Sequence, residues 1–222
     1  MVLVNYRGST GYGDKALLSL PGKVGQQDVA DCMTALDSVL DKFVLRNAQY
    51  KPDLNKSDFP VVVFGGSHGG FLAAHLCGQH GDRFRCAILR NPVTNISLMS
   101  GTSDIPDWCY VEVFGCEEGM NRFSFAPTPD DLKGMYNASP IAHVEKYKVP
   151  SLFLIGEKDQ RVPMTNPLQF IAKLQSQGVE TKVIRFPKDC HPLSRPQTEF
   201  LAAVQTMEWI HKFCDVPRDW QY

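Results

Sequence analysis

Residues 61–71 read Val-Val-Val-Phe-Gly-Gly-Ser-His-Gly-Gly-Phe, and Ser67 within them is the residue type best suited to nucleophilic chemistry. A serine hydroxyl is a weak nucleophile until a neighbouring base takes its proton. In a G-x-S-x-G turn between a strand and a helix, strained backbone lifts that hydroxyl clear of the sheet, and the flanking glycines remove side chains that would collide there. Three fixed positions arise by chance somewhere in a chain this long with odds of roughly one in ten, so the flanks decide. Strand formers Val61, Val62 and Val63 precede the turn, and Phe71, Leu72, Ala73, Ala74 and Leu76 follow it, as an elbow requires. The competing reading is a glycine-rich turn with no catalytic part.

A serine nucleophile needs an imidazole to accept its proton and a carboxylate to fix the imidazole tautomer. Asp159 lies in Leu154-Ile155-Gly156-Glu157-Lys158-Asp159 and His191 in Pro187-Lys188-Asp189-Cys190-His191, each just beyond an apolar, strand-like run. In parallel sheets, sites gather at the carboxyl ends of the strands. The chain order Ser67, Asp159, His191 is the order of the triad in α/β-hydrolases. Glu157 and Asp189 are rival carboxylates, and Asp159 alternatively closes a surface turn. His68 neighbours the serine but leaves the elbow in another direction, so it reads as a packing or surface residue whose backbone N–H faces the oxyanion. Tyr6 and Arg7 are candidates to line a substrate entrance. Ile105, Trp108 and Val111 either form an acyl or side-chain pocket or bury a helix.

The elements that must position these groups alternate. The sequence predicts a strand at Val2 to Tyr6, an amphipathic helix from about Gln27 to Phe43 and a strand leading into the elbow. A third strand is predicted at Cys86 to Arg90, then an irregular stretch from Asn91 to Pro140. A fourth strand at Ser151 to Ile155, a helix near Asn166 to Gln177, a fifth strand at Thr181 to Phe186 and a helix from about Pro196 to Cys214 complete the series. Such alternation specifies a mostly parallel sheet with helices on both faces, the α/β class.

At 222 residues the chain suits one domain with a sizeable core. A net charge of −1 with no basic block excludes a phosphate-backbone binder, and no apolar run reaches the ~20 residues that span a bilayer. No nucleic acid and no membrane partner are expected. Seven cysteines, an odd number without a C-x-x-C pair, fit buried thiols in a reducing compartment and lack the close pairing of a structural zinc site. No metal and no cofactor are expected.

Four stretches together carry a resemblance: Val4 to Gly13, Gly65 to Phe71, Asp104-Ile105-Pro106-Asp107-Trp108-Cys109, and Asp159-Gln160-Arg161-Val162-Pro163. They resemble the acylaminoacyl-peptidases of the prolyl oligopeptidase family of serine peptidases, over nearly the whole chain. The resemblance implies an α/β-hydrolase fold and a cytoplasmic exopeptidase that releases an N-acylated, chiefly N-acetylated, amino acid from short peptides. It also implies a homo-oligomer for the full-length enzyme, and it places Ser67, Asp159 and His191 on the triad positions. Residues 1–222 then read as a partial catalytic domain. The family's β-propeller, its first strands and a His-Gly-Gly-Pro type segment, which donates one oxyanion N–H, have no counterpart here. An exposed sheet edge is expected, and a hydrolase-like module acting only through partner binding, or a dipeptidyl or oligopeptidase, stand as alternatives.

Overall fold

The computed structural model describes residues 1–51, 53 and 55–214. Four parallel strands, β1 (Val62–Gly66), β2 (Cys86–Arg90), β3 (Ser151–Gly156) and β4 (Thr181–Phe186), lie side by side in chain order. Val62 sits opposite Cys86, Ala87 opposite Ser151, and Ser151 opposite Thr181. The helices are α1 (Asp14–Leu17), α2 (Gln27–Asn47), α3 (His68–Gln79), α4 (Ile96–Met99), α5 (Pro106–Phe114), α6 (Cys116–Arg122), α7 (Pro129–Asn137), α8 (Thr165–Ser176) and α9 (Pro196–Cys214). None of the helices among the described residues is long and apolar enough to cross a membrane.

Side chains on a strand alternate between faces, and the two cores follow that period. Ala87, Leu89, Phe153 and Ile155 pack with Ala73, Ala74 and Cys77 of α3 and with Phe170, Ile171 and Leu174 of α8. Cys86, Ile88, Leu152, Leu154 and Phe186 pack on the opposite face with Ala202 and Trp209 of α9. Burial on both faces explains why β2 and β3 are continuous apolar runs without alternation. A third core joins Phe71, Leu72 and Leu76 on the far side of α3 to Val29 of α2 and to Ile96, Met99, Cys109, Tyr110 and Met135.

Two expectations need correction. Residues 91–140 are not irregular, since four helices lie among them. Their start signals are local: Asn95 accepts from Leu98 N, Pro106 and Pro129 sit in first turns, and Thr128 and Asp131 form a reciprocal capping box. Each helix has 9 residues or fewer, too few for a sustained 3.6-residue pattern. The second correction is Val2 to Tyr6, which is not a strand. A strand exists only through its ladder, and this segment is laddered to none of the described strands. Leu3 is 78% exposed, and the segment is held instead through Tyr6 and Arg7. The outer side of β1 pairs with no strand among the described residues, and Phe64 on it is 54% exposed.

The turn from β1 into α3 carries the tightest backbone approach. Ser67 has φ 57° and ψ −120°, a conformation that costs a non-glycine residue about 1–3 kcal/mol. Its N–H donates to Arg90 O at 2.9 Å and its carbonyl accepts from Phe71 N at 3.0 Å. A Cβ on Gly65 would lie 1.9 Å from Gly69 O, and one on Gly70 would lie 2.7 Å from Pro92 Cβ, whereas one on Gly69 would meet nothing within 4 Å. Gly65→Ala is therefore expected to cost more than about 3 kcal/mol in urea unfolding and Gly69→Ala less than about 1 kcal/mol, because the obstacle is helix backbone in the first case only. Equal losses would contradict the packing described.

His75 on α3 is the buried histidine of the third core's rim. Its Nδ1 accepts from Gln79 at 2.9 Å and its Nε2–H donates to Ala138 O at 3.2 Å, which uses both nitrogens of a neutral ring. Burial, with His143 nearby, pushes its pKa down to about 3. Unfolded, the ring titrates near 6.5. The unfolded chain thus binds the extra proton, and this residue's contribution is complete above about pH 6.5 and is lost as pH falls toward about 3. Between pH 7 and pH 5 the loss amounts to about 2 kcal/mol. Urea unfolding of His75→Gln should show that much less acid sensitivity than the parent chain.

Candidate active site

Ser67, Asp159 and His191 follow the carboxyl ends of β1, β3 and β4 respectively, so a parallel sheet delivers all three to one edge. Asp159 and His191 meet. His191 Nδ1–H donates to Asp159 Oδ2 at 2.6 Å, and Asp159 Oδ1 accepts from the backbone N–H groups of Arg161 and Val162, both at 2.9 Å. The Asp159 side chain is fully buried, yet both its oxygens accept hydrogen bonds, which offsets the cost of burying them. The bond leaves the His191 proton on Nδ1 and the Nε2 lone pair free for a hydroxyl. The His191 ring remains 23% exposed.

The rival carboxylates are committed elsewhere. Glu157 pairs with Arg185 at 2.8 Å. Asp189 accepts from Thr198 Oγ1 at 2.6 Å and from Arg195 N, which places it over the start of α9. Ser67 Oγ makes no hydrogen bond to His191 among the described residues. Such contacts are often long in the absence of substrate.

His68 is the first residue of α3, so its N–H is one of those that a helix start leaves without an intrahelical acceptor. Such N–H groups favour negative charge. Its side chain packs as expected, stacked on Phe71 at 5.1 Å with Tyr6 at 5.8 Å and Trp108 at 6.2 Å between ring centres. The structure adds a partner that the sequence did not announce. An Asp28 oxygen lies 3.4 Å from His68 Nε2, and Asp28 itself is fully buried. Glu112 belongs to the same group: burial raises its pKa, opposed by His68 and reinforced by Asp28. Tyr6 is pushed up to about 12, by burial first and then by Asp28. Nothing in a first-turn aspartate of an amphipathic helix distinguishes Asp28 from a solvated acid, so its role emerges only from the fold.

The remaining candidates divide. Ile105 and Trp108 join Tyr6 around the third core beside the elbow. Val111 packs its backbone against Gly119 of α6, where an added Cβ would come within 2.7 Å of Val111 Cα. Arg7 has its guanidinium engaged by Asp31, with Nη2 donating at 2.7 Å and Nε at 2.9 Å, and that pairing lowers the Asp31 pKa. Arg161, two residues beyond Asp159, donates to Asp104 at 2.7 Å while Asp104 N donates to Gln160 O at 3.0 Å. This ties the Asp-Ile-Pro-Asp-Trp-Cys stretch to the Asp159 loop. Among the described residues no group of three or more His, Cys, Asp or Glu is placed to hold a metal ion.

The arrangement has close relatives. The chain is 45% identical over 213 residues to the acylamino-acid-releasing enzyme of Arabidopsis thaliana, aligning with 96% of this chain and 26% of that protein. It is 37% identical over 212 residues to the human protein of the same name, with 95% and 27% covered. The chain thus spans about a quarter of the length of the curated relatives it matches. Among solved structures, Pyrococcus horikoshii acylaminoacyl peptidase superposes with a TM-score of 0.77 over 98% of this chain and 33% of that one, at 21% identity, which establishes the α/β-hydrolase type of fold. The prolyl oligopeptidase family matches across residues 1–216. This chain belongs to the prolyl oligopeptidase family of serine peptidases.

Proposed function

We propose that this chain carries the catalytic apparatus of a serine exopeptidase that releases N-acylated amino acids from the amino termini of short peptides. One observation carries the reading most: the 2.6 Å bond between Asp159 and His191 at the same sheet edge as a serine held at φ 57°. In this reading Ser67 Oγ attacks the carbonyl carbon of the acylated residue while His191 Nε2 takes its proton. Asp159 stabilises the imidazolium that forms. The oxyanion receives the His68 N–H, and the same proton passes from His191 to the departing peptide nitrogen as the C–N bond breaks. Water, deprotonated by His191, then attacks the acyl-enzyme and restores Ser67. The names of the Arabidopsis and human relatives support the acyl specificity. So does the setting of Tyr6, Ile105 and Trp108 beside the elbow, because an unpaired ammonium is costly to bury against such surfaces.

The alternative of a hydrolase-like module without turnover draws on the absence of a Ser67 to His191 hydrogen bond among the described residues. Fluorophosphonate labelling decides between the two, since it requires an activated serine and little else. Labelling is expected in the parent chain, abolished in Ser67→Ala and slowed at least about 10²-fold in His191→Ala. An unlabelled parent chain would favour the inert module. Acetyl-alanyl amides should be cleaved faster than alanyl amides, and the reverse order would favour a dipeptidyl or oligopeptidase.

A further inference from the structure

We propose that Asn91 is a positioning residue that clamps the Asp159 and His191 loops to each other and to the nucleophile elbow. The inference rests on the hydrolase reading above and extends it to a residue outside the triad. Asn91 directly follows β2, the strand between the nucleophile strand and the Asp159 strand. It is 1% exposed, and its φ of 38° is one of three positive values at non-glycine residues among those described. Its side-chain amide faces two loops at once. Nδ2 donates to His191 O at 2.8 Å, and Oδ1 accepts from Gly156 N, three residues before Asp159, at 2.8 Å. Its own N–H donates to Leu154 O at 2.9 Å.

The neighbours of Asn91 complete the connection. Arg90 O accepts from Ser67 N at 2.9 Å, and Arg90 Nη2 donates to Pro192 O at 2.9 Å. Pro92 fills the space that a side chain on Gly70 would need. Four consecutive residues, 90–93, therefore touch the elbow, the Asp159 loop and the His191 loop, with Val93 N donating to Ser67 O at 3.4 Å.

The side-chain requirement is narrow. One donor and one acceptor must be offered from a short planar group, on a residue that tolerates a left-handed backbone. Asparagine meets both conditions. Aspartate keeps the acceptor but sets a carboxylate against the His191 carbonyl. Glycine accepts the backbone and supplies neither bond. Because Asn91 holds the main chain of His191 itself, its loss moves Nε2 relative to Ser67 Oγ, and a displacement near 1 Å costs about 10²-fold in rate.

The test uses the 222-residue chain and two variants, Asn91→Asp and Asn91→Gly, with unfolding by urea recorded for each. Fluorophosphonate labelling at a series of reagent concentrations separates the maximal rate from the half-saturating concentration, and proton NMR follows the downfield Nδ1–H resonance of the His191–Asp159 bond. Both variants are expected to label about 10- to 10²-fold more slowly at saturation with the half-saturating concentration unchanged, and to lose or shift the resonance. In the parent, the Asn91 side-chain amide protons should exchange slowly with solvent, a reading that needs no variant to fold. Rates within twofold of the parent with the resonance unmoved, or rapid exchange of those amide protons, would overturn the clamp and leave the hydrolase reading intact. A parent chain that fails to label but shows the resonance, lost in Asn91→Asp, would sink the hydrolase reading and uphold the clamp.

Discussion

The passage of the Gly69 carbonyl over the α-carbon of Gly65 is the constraint on which the rest of the site depends. At that crossing a Cβ would sit 1.9 Å from the oxygen, so the first turn of α3 can fold back onto β1 only if the residue beneath it is glycine. That reversal forces Ser67 into φ 57°, because the chain must leave a strand and enter a helix within one residue. The strain is held by hydrogen bonds at both ends of the serine and by burial of Phe71, Leu72 and Leu76 behind it. The rigid helix then fixes where the His68 N–H points and how the His68 ring meets Asp28.

Beyond the elbow, the edge is organised by buried polar groups that are satisfied in series. Asp159 takes two backbone donors and His191; Asp189 takes Thr198; and Thr94 donates from its N–H and its hydroxyl to Asn166 in the first turn of α8. In a low-dielectric setting each of these groups costs free energy unless its partner is in place, so the loops have one arrangement that satisfies them all. The carboxylates thereby acquire different duties by position alone. Asp159 orients an imidazole, Asp189 secures the start of a helix, and Glu157 stays with Arg185 near the surface.

What the sequence disclosed and what it withheld follow from the range of the interactions concerned. Strands β2 and β3 and helix α9 were legible to within a residue because burial on two faces, or a long apolar stripe, writes itself into consecutive residues. The convergence of Ser67, Asp159 and His191 on one sheet edge was legible because strand ends mark those positions. The helices at 96–137 were not, since each is too short for periodicity and announces itself only by a cap such as Thr128 with Asp131. Val2 to Tyr6 has a strand's composition without a strand's ladder, and composition cannot report a missing neighbour. Asp28 and Asn91 were invisible for a related reason: their partners lie 40 and 100 residues away in the chain, and a single buried acid or amide has no pattern of its own.

The chain-order topology bears on when such an edge comes into being. Each strand of the sheet is laid beside the one made just before it, so the sheet is able to grow in the direction of synthesis without rearranging what already stands. The elbow is complete early, once β1, α3 and the residues at 90–93 are present, whereas the Asp159 carboxylate stays without its imidazole until the loop beyond β4 has emerged. A nascent chain therefore carries a strained serine while residues 94–190 are still being made, before His191 exists to meet Asp159. The bond between Asp159 and His191, in this topology, is made only after the last crossover of the described sheet, when the strands that carry it have already been built.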